Sequence, residues 1–276
     1  MVQYTLSEPF SLQGVGVHSG NMSSITLHPA PPNTGYIFKR VDLHPAQTIQ
    51  AILQNVTSTQ RCTKISNSQG TSVMMVEHVL SALRGMNIDN AIIDVHGEEL
   101  PILDGSAFYI ASNISKIGIL RQTDETTYLH LHQHVRIDEG SSFLEAYPDS
   151  STSYDISFQN DHNISYLGDH AFEFQPEHQD YLLTIAPART FCYEKEITVL
   201  KHQGLIQGAA AGQGIIIGIN QTSPPLQFHD ELARHKLLDL MGDLALIPPF
   251  HARIKGSGIS HGLNNRFAKM LQKHLT

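Results

Sequence analysis

The chain is short of cysteine, of long apolar runs and of basic charge, and each shortage excludes something. Two cysteines in 276 residues, Cys62 and Cys192, cannot build a disulfide framework, which favours a reducing cytoplasm. No apolar run reaches the ~18 residues that a spanning helix needs, so no integral membrane segment is expected. The opening Met-Val-Gln-Tyr-Thr-Leu-Ser-Glu-Pro has neither a basic n-region nor an apolar h-region and does not read as a secretory signal. Eighteen Lys plus Arg against 26 Asp plus Glu give a formal charge of −8, which argues against nucleic acid as the main partner. Hydrophobic residues are plentiful at 41%, enough for the core of one large domain or two ordinary ones. The 17 histidines nearly equal the Lys plus Arg count and invite a search for metal.

The stretch Leu232 to Leu246 carries the strongest such pattern. Leu237, Leu240, Met241 and Leu244 fall at i, i+3, i+4 and i+7, the apolar stripe of a helix seated on a core. His235, Asp239 and Asp243 form a second stripe nearly opposite. Residues four apart on a helix lie about 5–6 Å apart at Cβ, so an imidazole and a carboxylate one turn apart can reach one cation. A catalytic zinc usually takes three protein ligands and a water. A lone His-x-x-x-Asp is more often a solvated face, so a third ligand has to come from elsewhere.

Upstream, strands are expected at 10–17 (bent at Gly14 and Gly16), 24–28, 34–40 and 91–95. A helix is expected from Ser72 to Arg84, with Gly85 placed for a left-handed cap. A second helix should run from about Ala107 to Lys116. The polar stretch Leu120 to Thr127 reads as a link between domains. Beyond it, Tyr128 to Ile137 reads as one strand with His130, His132 and His134 on a wet face. Residues 160–180 look irregular, and Leu182 to Ala186 looks like a short strand. Gly204 to Gly218 is rich in Gly and Ala without the context of a dinucleotide fingerprint, and is expected to form a hydrophobic loop or small subdomain.

The two main helices repeat one plan. His78 is followed seven residues on by Gly85, and His235 by Gly242. After each comes a strand ending in glycine (Gly97, Gly256), then a closing helix, Ala107–Lys116 or Asn265–Lys273. The expected fold is α+β: two similar domains, 1–121 and 128–276, each a β-sheet layer packed on helices, with the helices of the two domains facing each other around a zinc cleft. That packing brings His78 and His235 together. Glu77, about 100° around the helix from His78, is placed as a base for a water at the metal.

Several stretches together resemble one family. Val76-Glu77-His78-Val79-Leu80-Ser81-Ala82-Leu83 is similar to the signature helix of UDP-3-O-acyl-N-acetylglucosamine deacetylase, the zinc enzyme of lipid A synthesis in Gram-negative bacteria. Gly14-Val15-Gly16-Val17-His18-Ser19-Gly20, Pro101 to Ala107, Ala188-Arg189-Thr190-Phe191, Arg234 to Asp239 and His261-Gly262-Leu263-Asn264-Asn265 resemble the same family, in the same order and over nearly the whole chain. The resemblance implies zinc ligands at His78, His235 and Asp239, and a base at Glu77. It places His261 on the leaving amine or the oxyanion, with Asp243 orienting it. Lys236 becomes a cation near the reacting centre and Thr190 the hydroxyl that polarises the substrate carbonyl. Phe191 falls near the sugar and an acyl passage built by residues 190–218. His18 and Cys62 are carried as substrate-contact candidates, although a buried cysteine usually only packs.

The expected substrate is UDP-3-O-acyl-N-acetylglucosamine, the expected cofactor Zn2+, and the expected state a monomer. The alternative is a zinc amidohydrolase acting on another N-acyl sugar. Three departures stand out. Cys192-Tyr193 follows Arg-Thr-Phe where the family has glycine. Gln207 to Gly214 replaces a run that opens with a basic residue, and Tyr147 stands at another often-basic position. These departures fall on the acyl passage and the diphosphate contacts, the parts where the chain differs from the family pattern.

Overall fold

The computed structural model describes residues 2–160, 162–168, 170–210 and 212–276. The first half runs β1 (Val2–Leu6), β2 (Phe10–Val15), β3 (Met22–Pro29), β4 (Tyr36–Arg40), β5 (Gln47–Gln50), β6 (Val56–Ser58), β7 (Lys64–Ser66), β8 (Ser72–Met74), α1 (Glu77–Gly85), β9 (Ala91–His96), α2 (Phe108–Ile117) and β10 (Ile119–Glu125). The second runs β11 (Leu129–His130), β12 (Val135–Glu139), β13 (Ser142–Tyr147), β14 (Ser153–Phe158), β15 (His170–Phe174), α3 (Tyr181–Thr184), β16 (Phe191–Tyr193), α4 (Ile197–His202), β17 (Ile215–Ile217), β18 (Thr222–Ser223), α5 (Glu231–Leu244), β19 (Phe250–His251), β20 (Arg253–Ser257) and α6 (His261–Gln272).

Alternation along the strands decides which face is covered. Ser23, Ile25 and Leu27 of β3, and Ala91, Ile93 and Val95 of β9, point into the core while their neighbours do not, as a pleat with one wet face requires. The two large sheets share one topology. The first has the order β2-β3-β9-β4-β5 and the second β12-β13-β20-β14-β15. In each, only the pair between the third and fourth positions is parallel: β9 with β4, and β20 with β14. The fold is thus α+β with a repeated unit, as the helix-strand-helix pattern predicts.

Helices α1 and α5 pack on each other between the sheets. Every residue of α5 except Arg234 and Lys236 is buried. One face lies on β14 and β15, and the His-Asp face lies against α1 rather than in water. Gly242 makes this approach possible, because a Cβ there would overlap the carbonyl oxygen of Glu77. Alanine normally beats glycine inside a helix by about 1 kcal/mol. Here the sign should reverse: Gly242→Ala is expected to cost about 1–3 kcal/mol, the usual range for overpacking, read as a lowered urea midpoint. A gain in stability would mean that the helices separate freely.

Some expectations change. Ser72–Met74 pairs with β7, and Met75 has φ of 66°, so α1 begins only at Glu77. Gly85 is not a left-handed cap; that conformation passes to Asn87 at φ 57°. Gly85 is instead required by packing, because a Cβ there would run into the Tyr181 ring. Leu120 to Thr127 is mostly strand β10, paired antiparallel with β1. Its polarity reflects exposure, since backbone hydrogen bonds rather than apolar side chains hold it. Tyr128 to Ile137 divides into β11, which pairs parallel with β19, and β12; His130, His132 and His134 are exposed. Residues 160–180 contain β15.

The stretch expected as a strand at Leu182 is the short helix α3, whose N-cap Asp180 accepts from the Leu182 N–H at 2.8 Å. Gly204 to Gly218 contributes β17 to a small sheet, β16-β17-β18, packed over Phe158, Leu167, Ile215, Ile217 and Leu232. Of the Ala209-Ala210-Ala211 run, Ala211 lies outside the described residues. Helix α6 starts four residues before the expected Asn265. Ser260 caps it, accepting from the Leu263 N–H at 3.2 Å, and this puts His261 at the first helical position. Among the described residues no helix is long and apolar enough to cross a membrane.

Candidate metal and catalytic centre

The first turn of α1 and the middle of α5 meet at three donors. His78, His235 and Asp239 are all buried, and one ligand atom from each lies within 4.8 Å of the others. The His235 Nε2 is 3.4 Å from Asp239 Oδ1, and the His78 Nε2 is 3.8 Å from the same oxygen. The imidazoles stand edge to face at 5.3 Å. His235 Nδ1 is within hydrogen-bonding distance of the Ala188 carbonyl at 3.1 Å. With that nitrogen donating, the Nε2 lone pair is free for the centre.

The electrostatics suit a cation. Burial, then the neighbouring His235, push His78 down to about 3. Burial also lowers His235. For Asp239 burial opposes ionisation, but His235, His261 and Lys236 outweigh it and hold the carboxyl below its usual range. Two neutral imidazoles and one carboxylate are the protonation states that ligands need. Among the described residues Asp239 Oδ1 is buried with no hydrogen-bond partner, a costly state for a charged oxygen and one that a bound cation removes. The residues therefore fit a divalent metal.

Beside the donors lie two further titratable groups. Glu77 is 1% exposed; its Oε2 accepts from the Thr63 N–H at 3.0 Å, and its Oε1 is 3.8 Å from His261 Nε2. Burial raises its pKa to about 8 against the pull of His261. For His261 burial acts downward, but Asp243, Asp239 and Glu77 together carry it up to about 10. Asp243 Oδ2 accepts from His261 Nδ1 at 2.9 Å and from the Asn264 amide at 2.9 Å. Its Oδ1 takes the Thr63 hydroxyl at 2.5 Å. Asp243 thus fixes the imidazole so that Nε2 faces Glu77 and Asp239, 4.0 Å from Asp239 Oδ2.

The remaining candidates form a rim. Lys236 Nζ lies 4.0 Å from Asp239 Oδ2 and 5.3 Å from the Phe191 ring centroid. Phe191 in turn stands 6.0 Å from His235. Thr190 is held by its backbone, its N–H donating to Gly105 at 2.7 Å and its carbonyl accepting from Ile215 at 2.8 Å. His18 is buried, takes the Ile206 N–H on Nδ1 at 3.4 Å, and leaves Nε2 without a partner among the described residues. It lies near enough to His261 to feel its charge. Cys62 is sealed in the main core, and burial, then the Glu77 charge, push its thiol upward.

Three groups that shape the site carry no periodic signal in the sequence. Thr63 bridges Glu77 and Asp243. Glu99 accepts the N–H groups of His18 and Ser19, each at 2.7 Å, and so holds their hairpin. Glu231, fully buried, pairs with Arg189 Nε at 2.8 Å and fixes the backbone leading to Thr190 and Phe191. Arg189 and Asn264 did fall within stretches that carry the resemblance, but without a role.

Comparison with known proteins follows the same lines. A family model described as LpxC, UDP-3-O-acyl N-acetylglycosamine deacetylase, matches residues 3–273. The UDP-3-O-acyl-N-acetylglucosamine deacetylase of Haemophilus influenzae (strain 86-028NP) is 36% identical over 276 residues, covering 97% of this chain and 88% of the relative. Proteins of the same name from Shewanella violacea and Idiomarina loihiensis are 32% and 35% identical, each covering 98% of this chain and 89% of the relative.

Proposed function

Because the chain belongs to the UDP-3-O-acyl-N-acetylglucosamine deacetylase family, we propose that it hydrolyses the N-acetyl group of UDP-3-O-acyl-N-acetylglucosamine and releases acetate, as a zinc enzyme of cytoplasmic lipid A synthesis. The supporting observation is the convergence of His78, His235 and Asp239 beside Glu77 and His261. The units we assign are residues 1–121 and 128–276 in a monomer, with the acyl passage near 190–218.

His78, His235 and Asp239 would hold the zinc. Bound there, zinc makes water acidic near neutral pH and polarises a carbonyl oxygen. Glu77 accepts the proton of the attacking water on Oε1, the oxygen left free by Thr63. His261, charged and fixed through Nδ1, presents Nε2–H to the reacting group, where it stabilises the oxyanion and supplies a proton to the departing amine. Asp243 keeps that imidazole oriented and protonated. Thr190 is assigned to the substrate carbonyl, Lys236 to developing negative charge, and Phe191 to the apolar side of the sugar and acyl group.

The decisive assay is acetate release from UDP-3-O-acyl-N-acetylglucosamine, with and without a chelator. No release from metal-loaded protein, or equal release with another N-acyl sugar, overturns the assignment. Metal content gives a separate check. Asp239→Ala should retain its fold by circular dichroism while bound zinc falls well below one per chain. Full occupancy in Asp239→Ala, His78→Ala and His235→Ala alike would place the metal elsewhere.

A further inference from the structure

A cavity of about 750 Å³ lies between the two halves at the C-terminal end of α1, and none of the residues of the metal centre lines it. Its volume is in the range of small-molecule sites, roughly 300–1,000 Å³. Arg84, two helical turns from Glu77, enters it from α1. One guanidinium nitrogen donates to the Ile247 carbonyl at 3.2 Å and the guanidinium also meets the Tyr36 hydroxyl, while Nε is buried with no hydrogen-bond partner among the described residues. Among the described residues Arg84 forms no ion pair. An arginine held this way is an unfinished anion site, because its fork of donors matches a carboxylate.

Three phenols complete the polar side. Tyr36, Tyr128 and Tyr154 all lie close enough to feel the Arg84 charge. Burial raises each phenol, so each hydroxyl stays protonated, and Tyr128 and Tyr154 can donate to a ligand while Tyr36 already donates within the protein. Tyr36 is fixed by its bond to the Ile88 carbonyl at 2.5 Å, and Tyr128 stacks on His251 at 4.5 Å. Asp89 also lines the wall, but its oxygens already take the Tyr4 N–H at 2.7 Å and the Thr126 hydroxyl at 2.8 Å. Phe174, whose ring stacks beside Tyr154 at 6.4 Å, lines the same cavity with the apolar side chains of Met241 and Phe250. A cation with hydroxyls near it, in a cavity otherwise lined by apolar and aromatic side chains, describes the ligand. We infer that this cavity binds a small amphiphilic monoanion, a carboxylate on an aryl or alkyl body, with the carboxylate on Arg84.

The chain has no tryptophan, so Phe250→Trp places a single reporter on the wall. Titration of this otherwise intact, metal-loaded protein with 4-phenylbutyrate should change its fluorescence saturably. The neutral analogue 4-phenylbutanamide should bind at least about tenfold more weakly, the least expected from losing one charge-assisted hydrogen bond. Arg84→Gln, added to the reporter, should weaken 4-phenylbutyrate by a similar factor and leave the amide unchanged. Calorimetry on the unsubstituted chain repeats the acid-amide comparison, so the outcome does not depend on either variant folding. Equal affinity for acid and amide overturns the inference. So does no saturation by about 10 mM, far weaker than specific small-ligand binding, or an Arg84→Gln protein that binds the acid as well as its parent.

Discussion

Glu77→Gln should keep its zinc and lose about 10²–10⁴-fold in kcat, the usual worth of one positioned acid–base group. Glutamine preserves the size of the side chain and the acceptor for the Thr63 N–H, but it cannot take a proton. Metal should stay because Glu77 is outside the His78, His235 and Asp239 group. In the parent enzyme kcat/KM against pH should be bell-shaped. Activity rises as Glu77 ionises and falls as His261 loses its proton. Without the metal, burial holds Glu77 above the ordinary carboxylate range, at about 8. For His261 burial acts downward, but Asp243, Asp239 and Glu77 override it and hold the imidazole above its ordinary range, at about 10 without the metal. A bound dication would draw both downward, and each limb belongs to the coupled pair. His261→Ala should flatten the alkaline limb and still bind zinc. Turnover by Glu77→Gln near the parental rate, with zinc bound, would remove Glu77 from the chemistry.

Glu231→Ala should cost about 3–5 kcal/mol, the range for breaking one side of a buried ion pair. Arg189 is 6% exposed and Glu231 is 0% exposed, so water cannot replace the lost partner. Glu231 accepts from Arg189 Nε at 2.8 Å, from its terminal nitrogen at 3.0 Å, from its backbone N–H at 3.1 Å and from the Gln227 N–H at 2.6 Å. All four lose Glu231 at once, and only the terminal nitrogen keeps another acceptor, the Pro225 carbonyl at 2.8 Å. The urea midpoint should fall with little change in slope. Arg189→Met combined with Glu231→Leu should regain much of the loss, because no charge is then left buried. A cost below about 1 kcal/mol, the size of an exposed pair, would show that solvent reaches the arginine.

The centre was legible wherever helical spacing carried it. His235 and Asp239 are one turn apart, and Glu77 and His78 are adjacent, so local geometry fixes half of each contact. The repeated glycines seven residues on pointed to the paired helices, although the reason differs at each: Gly242 admits a neighbouring backbone and Gly85 a tyrosine ring. What escaped was set at long range. Thr63 meets Asp243 across 180 positions and Arg189 meets Glu231 across 42, and neither pair leaves a period to read. β10 escaped because its side chains are largely exposed, so nothing apolar alternates. α3 is four residues long, too short for a stripe, and only its Asp180 cap distinguishes it from a strand.

The shared sheet order has a consequence for how the chain is made. In each half two hairpins are complete in sequence first, β2-β3 with β4-β5 and β12-β13 with β14-β15, and the strand that joins them is the last of the five. Before β9 arrives the first pair of hairpins has no common partner, and before β20 neither has the second. The first sheet can therefore zip once residue 96 is available, whereas the second has to wait until residue 257. At about 5–20 residues per second of synthesis, the second pair of hairpins spends several seconds with open edges after the first sheet is whole. Such edges are where misassociation starts. The closing segment after Phe250 is consequently the part of the chain whose delay or loss should most strongly favour aggregation over assembly.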